Sequence, residues 1–157
     1  MNVLIVVDFE TAEKALRKKA SAGLLSRLAM GTALLFEKAH QMITVNDELR
    51  TWLSKSVYSY EDHMSFQTKL FKATAEYWQS QVAVQSKVLG CYGEEVARLS
   101  IASKYLAAAA RLSKKVVFSL EDARKTLADK FVLPMLQQAS KDNQIIYFEV
   151  TLQTNIY

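Results

Sequence analysis

The sequence predicts an all-α fold, a scaffold of antiparallel helices, on three observations. Four glycines and one proline in 157 residues leave few places to break a helix. Half of the residues are apolar, enough to fill a real core. Those apolar residues recur at spacings of three and four over long stretches, the period of a helix with one buried face.

Near the N-terminus, "VLIVV" is β-branched and strand-like, yet nothing nearby would pair with it, and a lone strand is not stable. It reads equally as the start of a helix. From Asp8 to Lys19 the pattern turns helical, and Ser21 is a suitable N-cap for the next helix. Ala22 to Ile43 is the clearest amphipathic helix. Leu25, Leu28, Ala29, Thr32, Leu35, Phe36, Ala39, Met42 and Ile43 form its expected stripe, with Leu25, Leu35 and Phe36 as core and Leu24 at the edge beside Leu28. "TVND" breaks the helix, with Asn46 or Asp47 as the next cap, and residues 47–60 suggest a short helix and a turn.

A long helix is expected from Glu61 to Leu89, with Phe66, Leu70, Ala73, Thr74, Tyr77, Trp78, Val82, Val88 and Leu89 as its stripe. Gly90 ends it in the manner of a C-terminal glycine. In "YGEEVARLSIASKYLAAAARLSKK" (92–115), Glu94 and Glu95 face the positive end of the helix dipole, and Lys114 and Lys115 the negative end. Val96, Leu99, Ala102, Leu106, Ala109 and Leu112 make the buried stripe, whose alanines let a neighbouring helix approach to about 8–10 Å between axes. Ser119 is the expected cap of "SLEDARKTLADKF". Pro134 should kink or end that helix near Val132, and the tail "QIIYFEVTLQTNIY" looks extended.

Composition narrows the function classes. A net charge of +4 with both signs spread along the chain does not indicate a nucleic-acid partner. Cys91 is the sole cysteine and cannot form an internal disulfide, which fits a reducing compartment. No apolar run approaches the roughly 18 residues of a membrane span, and the N-terminus lacks the basic start and cleavage site of a signal peptide. The chain therefore reads as soluble and cytoplasmic.

No converging catalytic set emerges. His40 and His63 have no carboxylate or cysteine at ligand spacing, so a metal site is not expected. Adjacent Glu94 and Glu95 point about 100° apart on a helix, which suits a helix terminus better than acid–base chemistry. No glycine-rich phosphate loop and no nucleophile motif occurs, so neither cofactor nor small-molecule substrate is expected. The run "RKK" (17–19) could touch acidic lipid heads but reads better as a solvated helix end, and Tyr77 and Trp78 read as packing residues.

Four stretches together carry a resemblance. "LLSRLA" (24–29) with "LLFEKA" (34–39), "KATAEYWQSQ" (72–81), "YGEEVARLSIA" (92–102) and "SKDNQIIYFE" (140–149) resemble, in order and spacing, the Bro1 domain of endosomal-sorting adaptors. The likeness runs from about Asp8 to Glu149 and maps to the C-terminal part of such a domain. The expectation is a single domain over 1–157, a partial Bro1-like unit. The resemblance implies tetratricopeptide-like helix pairs and a non-enzymatic adaptor without cofactors. Its implied partner is the C-terminal amphipathic helix of an ESCRT-III subunit, in the multivesicular body pathway, with peripheral recruitment to the endosomal membrane. The rival readings are a helical structural or assembly module with a different protein partner, and a truncated, non-binding paralogue.

By the resemblance, the partner-helix patch falls on Leu24 and Leu28, with a third position at Thr11. Spacing alone would place the two leucines in the core. Thr11 stands where the family carries an apolar or aromatic residue, so weakened binding is implied.

Overall fold

A computed structural model describes residues 21–56 and 59–147. All regular structure among them is helical. The helices are α1 (Ala22–Val45), α2 (Asp47–Leu53), α3 (Tyr60–Ser86), α4 (Cys91–Ala110), α5 (Phe118–Thr126) and α6 (Leu133–Asp142). A π-helical stretch, Leu127–Val132, joins α5 to α6, and a second, Asn143–Tyr147, extends α6. The strand-like "VLIVV", the helical reading of 8–19, and the tail beyond Tyr147 lie outside the described residues.

The caps set the first boundaries. Ser21 Oγ accepts from the Leu24 N–H at 3.2 Å, and Asn46 Oδ1 from the Leu49 N–H at 2.9 Å. Each satisfies one of the donors a helix start leaves open. Ser59 caps α3 likewise, through the Asp62 N–H at 3.2 Å.

The long helices run up and down. Ser26 on α1 meets Ala75 on α3, while His40 meets Glu61, so these two are antiparallel. Arg98 of α4 bonds Glu76 of α3 at 3.1 Å, while Lys115 reaches Asp62, which gives the same sense for the next pair. Tyr92 of α4 stacks on Tyr147 with ring centroids 3.6 Å apart, so α6 returns antiparallel to α4. Phe66, Leu99, Leu127 and Val132 are sealed at the centre, and Tyr77 sets its ring edge against Trp78 at 4.8 Å and Phe131 at 5.9 Å. The expected stripe of α4 is buried from Val96 to Ala109.

Several expectations need correction. Helix α3 stops at Ser86 because Lys87 turns left-handed (φ 52°), and Gly90 (φ 87°) leads into α4 instead of ending α3. Val88 and Leu89 fall on that turn and are exposed. Helix α4 starts at Cys91, which leaves only Glu94 as an acid in its first turn, and it ends at Ala110. Lys114 and Lys115 sit in a separate 3-10 turn. Ser119 lies inside α5, which begins one residue earlier without a side-chain cap.

Pro134 does not end its helix. Its ring would collide with the carbonyl four residues back and it has no N–H to donate. The preceding π-helical turns widen the register, and the Leu133 N–H donates to Ala128, five residues behind. The helix thus passes the proline and continues. Residues 143–147 are helical too, against the extended reading.

Candidate functional site

The patch expected at Leu24 and Leu28 depends on how α1 lies against α3. From Ala22 to Ala33 its buried side is built from small residues, and Ile43 is buried nearer its C-terminal end. Ala22, Ser26, Ala29 and Ala33 face α3, and the Ser26 hydroxyl donates to the Ala75 carbonyl at 3.0 Å, which needs close contact between the two backbones. Helix α3 supplies the bulk on the other side: Phe71 fills the space between Ala29, Ala33 and Ala75 and stacks on Phe36 at 5.7 Å. Small residues on one helix and large ones on its neighbour give complementary volumes.

That arrangement turns the leucines outward. Leu24 is 45 % exposed and Leu28 58 % exposed, one turn apart on the same face. Leu35 (71 %) and Met42 (57 %), expected in the buried stripe, continue that outward face. The expected stripe is split: Ala29 and Ile43 are buried and Leu25 and Phe36 pack against the core, while Leu28, Leu35 and Met42 turn outward. The alanine–serine stripe lies at the closest approach because small side chains permit the short interhelical distance, with Leu25 and Phe36 packed beside it.

Leu34, Leu35, Met42 and Val45 are the residues that sequence reasoning missed as surface features. A usable signal was present. Ala22, Ser26, Ala29 and Ala33 repeat at three and four, directly opposite the leucines.

Charge on α1 is one-sided. Its single carboxylate, Glu37, is held by Lys72 of α3 at 2.8 Å. Arg27 only bonds its own helix, at the Gly23 carbonyl, and Lys38 has no ion-pair partner among the described residues. Burial and neighbouring Lys72 lower the Lys69 pKa, partly offset by Glu37. The border with α3 thus holds a small charge network, while the outward face carries only cations.

The other titratable groups are spoken for or scattered. Arg98 spans Glu76 and Glu94, and Arg124 pairs with Glu121 at 2.7 Å. Burial, then Asp142, raises the Glu95 carboxyl above its ordinary range, and burial lowers His63 below its own. Among the described residues, no three of His, Cys, Asp and Glu are placed to share a metal ion. Cys91 is a buried free thiol. Among those residues no helix is long and apolar enough to cross a membrane. Thr11 lies outside the described residues.

Leu24, Leu28, Leu35 and Met42 thus form an exposed apolar face on a rod of antiparallel helices. A family model described as a BRO1-like domain matches residues 11–155, nearly the whole chain. The chain belongs to the BRO1-like domain family. This is a helical protein-interaction domain of endosomal-sorting adaptors. Searches of curated proteins and of solved structures each returned no match.

Proposed function

We propose that this BRO1-like chain is a non-enzymatic adaptor that binds the C-terminal amphipathic helix of an ESCRT-III subunit. Leu24 and Leu28 are the anchor positions, and Thr11 is the third position of the patch. The cytoplasm is where such an adaptor meets its partner, with recruitment to endosomes during multivesicular body formation.

One observation supports this reading above the rest. Leu24 and Leu28 project from a capped, well-packed helix into solvent, and apolar side chains held outward on a rigid rod are what a partner helix requires. Helix-in-groove recognition takes its affinity from such anchors and its orientation from flanking charge. Thr11 contributes little apolar area, so the affinity falls below that of a domain with an aromatic residue there.

Fluorescence anisotropy with a labelled ESCRT-III C-terminal peptide tests the reading. Leu28→Asp should weaken binding by about tenfold or more, since it places a charge where an apolar anchor seats. Equal binding by both proteins removes Leu28 from the groove.

A further inference from the structure

The outward face of α1 does not stop at Leu28. Leu24, Leu28, Gly31, Leu35, Lys38, Met42 and Val45 succeed one another at alternating steps of four and three along the 24-residue helix. That is a heptad seam, the pattern through which a second helix packs side by side. Ser26 and Ala33 stand at the opposite position of the same heptad and are buried against α3, so the seam points directly away from the core.

Gly31 sits in the middle with nothing within 4 Å of where a Cβ would stand. It leaves open space between Leu28 and Leu35 into which a side chain of the neighbour can enter. The seam from Leu24 to Val45 is about 32 Å long at about 1.5 Å per residue.

Resting on the adaptor reading above, we infer that the partner helix lies along the whole of α1, about six turns, and carries acidic side chains beside its apolar anchors. Charge selects this occupant. Arg27 borders the seam and Lys38 lies within it, whereas the only carboxylate of α1 is bound to Lys72 on the flank. A second copy of the chain would bring two more unpaired cations to the same seam. A helix with glutamates flanking its leucines would meet both.

The test uses the full chain and three synthetic helices with a common leucine seam. One has four heptads flanked by glutamate, one has four flanked by lysine, and one has two flanked by glutamate. Anisotropy should show the long glutamate helix binding at least about tenfold tighter than the short one, and Leu35→Asp should remove that excess while leaving the short helix unaffected. Lys38→Glu should weaken the long glutamate helix about two- to fivefold and favour the lysine helix.

If Leu35→Asp leaves the long helix unchanged while Leu28→Asp weakens both glutamate helices, the extended seam is overturned and the adaptor reading stands. If Leu28→Asp affects neither helix, the Leu24–Leu28 patch itself is overturned. A long glutamate helix that fails to bind ends the inference, whatever the ESCRT-III peptide does. Two further results assign the seam to another occupant and overturn the inference: a dimer in sedimentation that Leu35→Asp dissociates, or a marked fall in melting temperature for Leu35→Asp, which would mean the chain covers the seam itself.

Discussion

The two sides of α1 depart from the usual rule for an amphipathic helix over its first half. The side packed on α3 carries Ala22, Ser26, Ala29 and Ala33, while the side facing solvent carries Leu24, Leu28, Leu35 and Met42. A lone surface helix normally buries its largest apolar residues. Here the interior side gains from proximity instead: alanines admit Phe71 and bring the Ser26 hydroxyl to a backbone carbonyl. Since Leu25, Phe36 and Ile43 turn inward while Leu24, Leu28, Leu35 and Met42 do not, residue size alone does not identify the core side of this helix. The volume offered by the neighbouring helix does, and the outward leucines remain available to a partner.

Mutations should separate the two sides sharply. Phe71→Ala empties the space that the small stripe encloses and should cost about 3–5 kcal/mol in denaturant unfolding, since the ring is buried and stacked on Phe36. Ala33→Leu, at a fully buried position, should cost about 1–3 kcal/mol by forcing α1 and α3 apart. If Ala33→Leu proves harmless, the close approach claimed for this side is wrong.

On the outward side the same chemistry should do little or the reverse. Gly31→Ala meets open space in a helix interior and should stabilise the chain by up to about 1 kcal/mol, a rise of about 2–4 °C in melting temperature. Leu35→Gln should change stability by no more than about 0.5 kcal/mol, because the side chain is already solvated. A large loss there would erase the contrast between the sides.

Helix α4 supplies a control away from α1. The Glu95 carboxyl is held above its ordinary range by burial and then by Asp142, so the folded chain binds its proton more tightly than the unfolded chain. Its ionisation therefore opposes folding: the cost is absent below the ordinary glutamate pKa and present in full above the raised one. Glu95→Gln should match the original chain in acid and become slightly the more stable at neutral pH. Thermal melts at the two pH values check this, and binding to the α1 face should be unaltered.

Much of the fold was legible because helix signals are local. Ser21 and Asn46 act as the caps they resemble, and the α4 stripe from Val96 to Ala109 is buried as its spacing requires. What escaped depends on neighbours or on backbone detail. Lys87 adopts a left-handed conformation that glycine would have advertised, so α3 ends earlier than its stripe suggests. Pro134 is absorbed by π-helical turns whose register no residue type announces. For the candidate site, the family likeness marked Leu24 and Leu28, whereas spacing placed Leu35 and Met42 inside. Only the bulk that Phe71 brings to the α1–α3 contact shows which stripe is outward.

Thiol labelling of single cysteines on a Cys91→Ser background tests the central claim most directly. Leu28→Cys should react quickly in the free chain and become protected when the ESCRT-III peptide is added, while its neighbour Ala29→Cys should react slowly in both states. Unchanged labelling of Leu28→Cys under saturating peptide, or fast labelling of Ala29→Cys, would contradict the account.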